Sequence, residues 1–324
     1  MLEKLGLFPA AASTHAGRVD ALYLFLIGVS AFFAILIATL IVVFAFKYRR
    51  RSDDEQPKLI EGSLALELTW SIVPFGIAML IFLWGAQLFV SLKTPPKNAL
   101  DVFVVGRQWM WKVQHLEGRR EIDELHVPVG RPVKLTLTSE DVIHSFFVPA
   151  FRIKQDAVPG RYTEEWFEAT AVGSYHLFCS QYCGTEHSRM IGRVVVMEPA
   201  DYQAWLSGDG RPAAGANAAL ATNAAAVSVA TAGEGLFKDL GCATCHKSKP
   251  GALGPSLAGV FGSQVQLQSG ASVAADESYL RESILNPDAK IVAGYQPVMP
   301  TFQGQVSEED LLQLITYIKT LRSS

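Results

Sequence analysis

The segment CSQYCGTEHSRM, residues 179–190, puts two thiols, an imidazole and a thioether into one short loop. A disulfide needs only the sulfurs, and a zinc site has no use for a thioether. His144 supplies a second, distant imidazole from the strand-like DVIHSFFVP. One distant His with a Cys, a His and a Met on a single loop is the donor set of a copper site with a weak axial sulfur. The additional cysteine changes the count. Cys179 and Cys183 can bridge two copper ions as thiolates, each ion taking one imidazole, from His144 or His187. Met190 then caps one ion, and a backbone carbonyl is left to cap the other. A Cys2His2 zinc site and a Cys179–Cys183 disulfide are the alternatives, and each leaves part of the set idle.

The sequence around this loop reads as β structure. From residue 101 to about 198 the apolar period is two: PVKLTLTSE places Val133, Leu135 and Leu137 on one face. RYTEEWFEA, GSYHLF and GRVVVMEP are similar short runs separated by Gly or Pro. Short strands at this spacing predict a sandwich or barrel, and PADYQAWLSG predicts a short closing helix. Residues 207–232 are Ala-rich without apolar periodicity and read as a linker. Residues 233–324 read as helical, with Ser307 as N-cap of a last helix that has acids in its first turn.

Upstream of the β region, Leu22–Phe46 and Leu68–Val90 carry no charge. Each is long enough to cross a hydrocarbon core about 30 Å thick. The composition agrees, at 49% hydrophobic, 18% charged and mean hydropathy +0.21. The loop between the spans holds Lys47, Arg49, Arg50, Arg51 and Lys58, whereas the preceding tail holds only Lys4 and Arg18. The positive-inside rule puts that loop in the cytoplasm and everything after about residue 91 outside. A net charge of −3 and the lack of a basic, aromatic-rich patch exclude nucleic acid as an expected partner.

The other two cysteines lie in GCATCH, residues 241–246. C-x-x-C-H offers two thiols for thioethers to haem and His246 as proximal ligand. A redox C-x-x-C is the alternative. Met299, in the turn-rich PVMPTF, is the only Met or His that follows His246, which makes it the candidate sixth ligand.

Two resemblances follow. GEGLFKDLGCATCH, GPSLAGVFG, YLRESILNP and MPTFQGQVSEEDLLQLITYIKTL resemble a class I cytochrome c, which implies that Pro255 faces the proximal histidine. ELTWSIVP, GRQWMW, DVIHSFFVPAFRIKQDAVPGR and CSQYCGTEHSRM resemble subunit II of haem–copper cytochrome c oxidases, in the same order. The whole chain is thus similar to the caa-type subunit II, with a fused C-terminal cytochrome. The expected fold is a multidomain membrane protein. It comprises an N-terminal extracytoplasmic tail (1–21), a transmembrane helical hairpin (22–92), an all-β cupredoxin-like Greek-key barrel (93–206), the linker, and an all-α class I cytochrome c domain (233–324).

The resemblance implies a dinuclear CuA centre on His144, Cys179, Cys183, His187 and Met190, with the carbonyl of Gln181 as a further ligand. Trp109 is implied as the electron entry point, and Glu67 as a residue near the mouth of a proton channel in subunit I. Many family members carry glutamate where Gln181 stands, and its carboxylate reaches a magnesium ion shared with subunit I. A neutral amide is a poorer ligand for that ion. Implied partners are subunit I, subunit III, membrane lipid, and a donor that is a cytochrome c or a quinol-oxidising complex. The implied site is a bacterial cytoplasmic membrane with both soluble domains on the periplasmic side. The rival readings are a CuA subunit of a nitric oxide reductase and a membrane-tethered electron carrier or copper-delivery protein. The haem edge is expected to dock near Trp109, with the linker holding the two domains at roughly millimolar effective concentration. His15, His115, His126 and His176 read as surface or packing residues.

Overall fold

The computed structural model describes residues 8–53, 55–56, 62–208, 228–247 and 251–321. The chain divides into two compact units: Thr14–Thr94, and a second that joins Met1–Ser13 to Pro95–Ser324.

The first unit is a pair of helices, α1 (Ala16–Lys47) and α2 (Leu64–Lys93). Their mean hydropathies are 2.8 and 2.0, yet almost none of their apolar surface is buried. Such surface is stable against lipid rather than water. Ser63 caps α2, its side chain accepting from the Leu66 N–H, and Glu67 stands in the first turn. Pro74 sits inside α2, tolerated as prolines are in membrane helices.

In the second unit the β segments are β1 (Leu100–Arg107), β2 (Met110–His115), β3 (Arg120–Ile122), β4 (Glu124–Pro128), β5 (Pro132–Ser139), β6 (His144–Val148), β7 (Ile153–Ala157), β8 (Thr163–Glu168), β9 (Gly173–Cys179) and β10 (Ile191–Met197). They form two five-stranded sheets, ordered β3-β2-β1-β5-β8 and β4-β10-β9-β6-β7. Most pairs are antiparallel, but β1 with β5 and β4 with β10 run parallel. Between the sheets lie Val102, Val104, Trp111, Leu135, Leu137, Phe146, Leu177 and Val194, all buried. The closing helix α3 (Pro199–Ser207) adds Tyr202 and Trp205 to this core. The N-terminal segment is stitched to the same body. Ala12 N–H donates to the Ala150 carbonyl, Thr170 N–H donates to the Ala12 carbonyl, and Ser13 Oγ donates to the Phe151 carbonyl.

The C-terminal part contains α4 (Val229–Asp239), the short turn α5 (Cys242–Cys245), a small hairpin β11 (Gln264–Gln266) and β12 (Ser272–Ala274), α6 (Glu277–Leu285) and α7 (Glu308–Thr320). Helix α4 starts at Val229, inside the stretch expected to be linker; residues 209–227 of that stretch lie outside the described residues. Ser228 supplies the reason, its side chain accepting from the Thr231 N–H as an N-cap. Helices α4 and α7 cross at Gly233. A Cβ there would stand 2.0 Å from the Gln313 carbonyl oxygen, so only glycine permits the approach. Ser307 is the N-cap of α7, as the sequence indicates, and Asp310 completes a capping box with it.

Candidate metal centre and haem site

The copper-type donors come from three places in the fold. His144 opens β6, Cys179 closes β9, and Cys183, His187 and Met190 lie on the loop from β9 to β10. Pairing of β6 with β9 puts Phe146 opposite Cys179. Two backbone bonds then pin the loop: Ser180 N–H to the Ser145 carbonyl at 3.0 Å, and Cys179 N–H to the Met190 carbonyl at 3.1 Å.

The sulfurs of Cys179 and Cys183 stand 3.8 Å apart. Cys179 Sγ lies 4.0 Å from His144 Nδ1 and 3.3 Å from the Gln181 carbonyl oxygen. Cys183 Sγ lies 3.4 Å from His187 Nδ1 and 3.8 Å from Met190 Sδ. The six candidate donors therefore converge on one pair of sulfurs, one imidazole beside each. A disulfide would need a sulfur separation near 2.05 Å, and both thiols are free. His144, Cys179, Cys183 and Met190 are all buried.

Electrostatics fit a cation here. Burial alone would raise the Cys179 thiol, but hydrogen bonding from His144 and the surrounding backbone carries it below its ordinary value. Burial and the charge of Cys179 both push Cys183 up. Two adjacent thiolates repel each other, and positive charge between them is what makes the doubly ionised pair stable.

His144 is oriented from behind. Asp141 Oδ1 lies 2.8 Å from its Nε2, which leaves Nδ1 turned to Cys179. The other oxygen of Asp141 accepts from the Gln108 N–H at 2.8 Å. Burial would raise the Asp141 carboxyl, but Gln108 N–H, His144 and Val142 N–H together hold it below its ordinary value. The same support reaches the β1–β2 turn, where Gln108 Nε2 and Trp109 Nε1 both donate to the Cys183 carbonyl, at 2.9 and 3.2 Å. Trp109 thus touches the sulfur loop directly. Gly184 makes room: a Cβ there would come within 2.9 Å of Gln108 Nε2 and 3.2 Å of Trp109 Cζ2. Trp111 is buried, edge-on to Phe146 at 5.3 Å.

At the haem-type motif, His246 Nδ1 donates to the Pro255 carbonyl at 2.8 Å, which leaves Nε2 as the nitrogen available to a ligand. Gly254 lets the loop lie flat on this ring, since a Cβ would sit 2.9 Å from His246 Cε1. Cys242 and Cys245 are half-buried. Met299 packs at the edge of the apolar cluster built by Leu267, Tyr279, Leu280, Phe302 and Leu311. Glu67 is exposed in the first turn of α2.

Sequence reasoning missed three groups. Asp141 carries a signal three residues before His144, because that offset lets a carboxylate reach back to an imidazole. The second is the network of Glu121, which bridges His115 Nε2 at 2.9 Å and His126 Nδ1, with Tyr202 at His115 Nδ1 and Trp205 stacked on His126. The third is Arg281, whose buried guanidinium joins the β body to α7.

Three family models match, in chain order. They are "Cytochrome C oxidase subunit II, transmembrane domain" over residues 2–88, "Cytochrome C oxidase subunit II, periplasmic domain" over 115–198, and "Cytochrome c" over 230–322. Among curated relatives, the cytochrome c oxidase subunit 2 of Thermostichus vulcanus is 30% identical over 62% of this chain and 77% of its own. The chain belongs to the cytochrome c oxidase subunit II family. The fused C-terminal cytochrome c domain marks it as the caa-type, a component of an oxidase rather than a complete enzyme. The subunit 2 of Alkalihalophilus pseudofirmus is 29% identical over 91% of this chain and 84% of its own, so that similarity spans all the domains. A solved periplasmic domain of subunit II from Bradyrhizobium japonicum covers 36% of this chain and 96% of its own, at 31% identity and TM-score 0.35.

Proposed function

We propose that this chain is the electron-input arm of an aerobic terminal oxidase. Electrons enter at the C-terminal domain, cross to the β body and leave to subunit I, where oxygen is reduced to water and protons are moved. His144, Cys179, Cys183, His187, Met190 and the Gln181 carbonyl would hold a dinuclear copper centre. Cys242, Cys245, His246 and Met299 would hold a covalent haem c. When bound, these groups supply one-electron carriers with little rearrangement on transfer.

The chain's own residues do the rest. The Pro255 carbonyl and Asp141 each fix one imidazole tautomer. Trp109, hydrogen-bonded to the Cys183 carbonyl, couples the protein surface to the sulfur pair. Burial excludes water from those sulfurs. The observation that carries this reading is the sulfur pair at 3.8 Å with one histidine nitrogen beside each sulfur. Gln181 offers its carbonyl to copper, while its neutral side chain disfavours an interface magnesium.

For membrane placement, the bonds of Ala12 and Ser13 to the β body support a reading in which residues 12–13 and that body share one side. An even number of crossings satisfies this, as α1 and α2 provide. The loop charges support that side being outside a bacterial cytoplasmic membrane. Subunit I, and with it subunit III, would pack on the hairpin. The donor to the C-terminal domain is a cytochrome c or a quinol-oxidising complex.

The test is metal analysis and EPR on the full chain. The expected result is two copper ions per chain with the unpaired spin shared over both nuclei, and one haem. One copper with an unshared spin, or zinc alone, refutes the assignment.

A further inference from the structure

Strand β1 has apolar residues on both faces. Leu100, Val102 and Val104 point into the β core, while Phe103 and Val105 point outward and are nonetheless buried. An outward strand face in water is normally polar. Here Val229 of α4 and Leu312 of α7 cover it, and Leu116 and Tyr162 flank the patch. The backbone joins in, since Val229 N–H donates to the Leu116 carbonyl at 3.1 Å.

The polar rim of this contact is centred on Arg281, on α6. Its Nη1 donates to the Gly160 carbonyl of the β body at 2.7 Å. Its Nη2 donates to Glu308 in the first turn of α7, and its guanidinium lies 5.7 Å from the Tyr162 ring centre. Arg281 is buried, so each of these contacts is made out of water. The next residue of α7, Glu309, faces Lys112 at 3.5 Å and Arg120 at 3.4 Å, both on the β body. The cytochrome domain therefore rests on its terminal helices. Asp239 stands at the far end of α4 from Val229, about 15 Å along the helix at helical rise, and the haem-type motif follows it.

We propose that Arg281 is a positioning residue that clasps the cytochrome domain to the copper domain through Gly160, Tyr162 and Glu308, so that the haem works from a fixed seat rather than a free tether. The seat stands on protein contacts alone. Its consequence for electron transfer rests on the reading of the two cofactor sites given above. A guanidinium is suited to this role, because one planar group serves a carbonyl on one domain and a carboxylate on the other.

The test uses the full chain and the variants Arg281→Gln and Phe103→Ser. The second loosens the seat from the β side and leaves the cytochrome sequence intact. Lys238→Gln, on the exposed side of α4, is the control. Hydrogen exchange at the Val229 amide reads the seat without any cofactor. In the wild type it is protected, and in both variants it speeds by roughly tenfold or more, as expected when a buried interfacial charge partner or an apolar anchor is lost. Dipolar EPR between the copper and haem spins then gives a narrow distance distribution in the wild type and a broad one in the variants. Haem-to-copper transfer should be insensitive to ionic strength in the wild type, and slower and salt-dependent in the variants. The haem spectrum should stay unchanged throughout, which separates loss of seat from loss of fold. Unchanged Val229 exchange and an unchanged distance distribution in both variants overturn the proposal. A broad wild-type distribution does the same. Absent copper or haem signals would instead refute the cofactor reading, and the exchange measurement would still decide the seat.

Discussion

Asp141 bonds His144 with one oxygen and the Gln108 N–H with the other, so one carboxylate sets both the ring that faces Cys179 and the turn that carries Trp109. Removing such a partner typically costs 10–100-fold in metal affinity. Asp141→Ala should weaken copper binding by about that factor in a competition titration with a chelator, while zinc-free, haem-loaded protein keeps its haem spectrum. Met299→Ala should lose the weak sulfur-to-iron absorption in the far red and lower the haem potential, read by redox titration; an unchanged spectrum would point to a different sixth ligand. Glu121 makes a pH prediction. Burial would raise its carboxyl, but hydrogen bonds and charge from His115 and His126 hold it below its ordinary value. A lowered folded pKa contributes stability above the unfolded pKa, and that stability is lost as pH falls through the folded value. Melting of the full chain should therefore drop steeply below about pH 4. Glu121→Ala should cost about 3–5 kcal/mol at neutral pH and flatten the acid limb, measured by denaturant titration at pH 7 and pH 4. The convergence of Cys179, Cys183, His187 and Met190 was legible because four soft side chains have no other evident reason to share one loop. Asp141 and Glu121 were not, because an ordinary acid gains its meaning only when strand register brings a histidine to it.

At the scale of elements, the helix pair α4 and α7 depends on Gly233, where backbone meets backbone. Gly233→Ala should improve the helix propensity of α4, yet the added methyl has no space. The crossing must open, at a cost of about 1–3 kcal/mol. A thermal scan followed at the haem band should show the C-terminal domain melting earlier, while a scan followed at the copper band stays put. A variant that melts later would mean the crossing has slack. The last helix with its cap Ser307 and most strands were readable from local pattern, since Ser307 and the period-two runs act on their own neighbours, whereas Ser228 and the start of α4 were hidden in an Ala-rich stretch without apolar period. The parallel pairing of β1 with β5 was not, because it joins segments through a long crossover that no local signal encodes. Strand β1 did carry a readable sign of its cover. DVFVV is apolar at every position after the aspartate, whereas a strand with one wet face alternates.

On the scale of the whole molecule, the cytochrome domain and the β body share one unit. Transfer between them should be first order and independent of protein dilution over a hundredfold range, checked by flash reduction of the haem followed by the copper absorption. A rate that rises with concentration would mean that the donor to each copper site is a neighbouring molecule. The order of domains was legible because each carries its own motif and period. How they meet was not, because the seat is assembled from residues that look unremarkable one at a time: an arginine, a tyrosine, a glycine carbonyl and two glutamates.

The bonds of Ala12 and Ser13 impose an order of events on biosynthesis. These residues precede both membrane helices in the chain, while Ala150, Phe151 and Thr170 follow only after both helices and most of the strands have been made. The earlier segment must therefore wait for the stretches flanking β7 and β8 that receive it. For the bench the corollary is direct. A water-soluble fragment begun at residue 95 would leave the Thr170 amide and the Ala150 and Phe151 carbonyls without these partners. Supplying residues 8–13 as a separate peptide should restore what the cut removes.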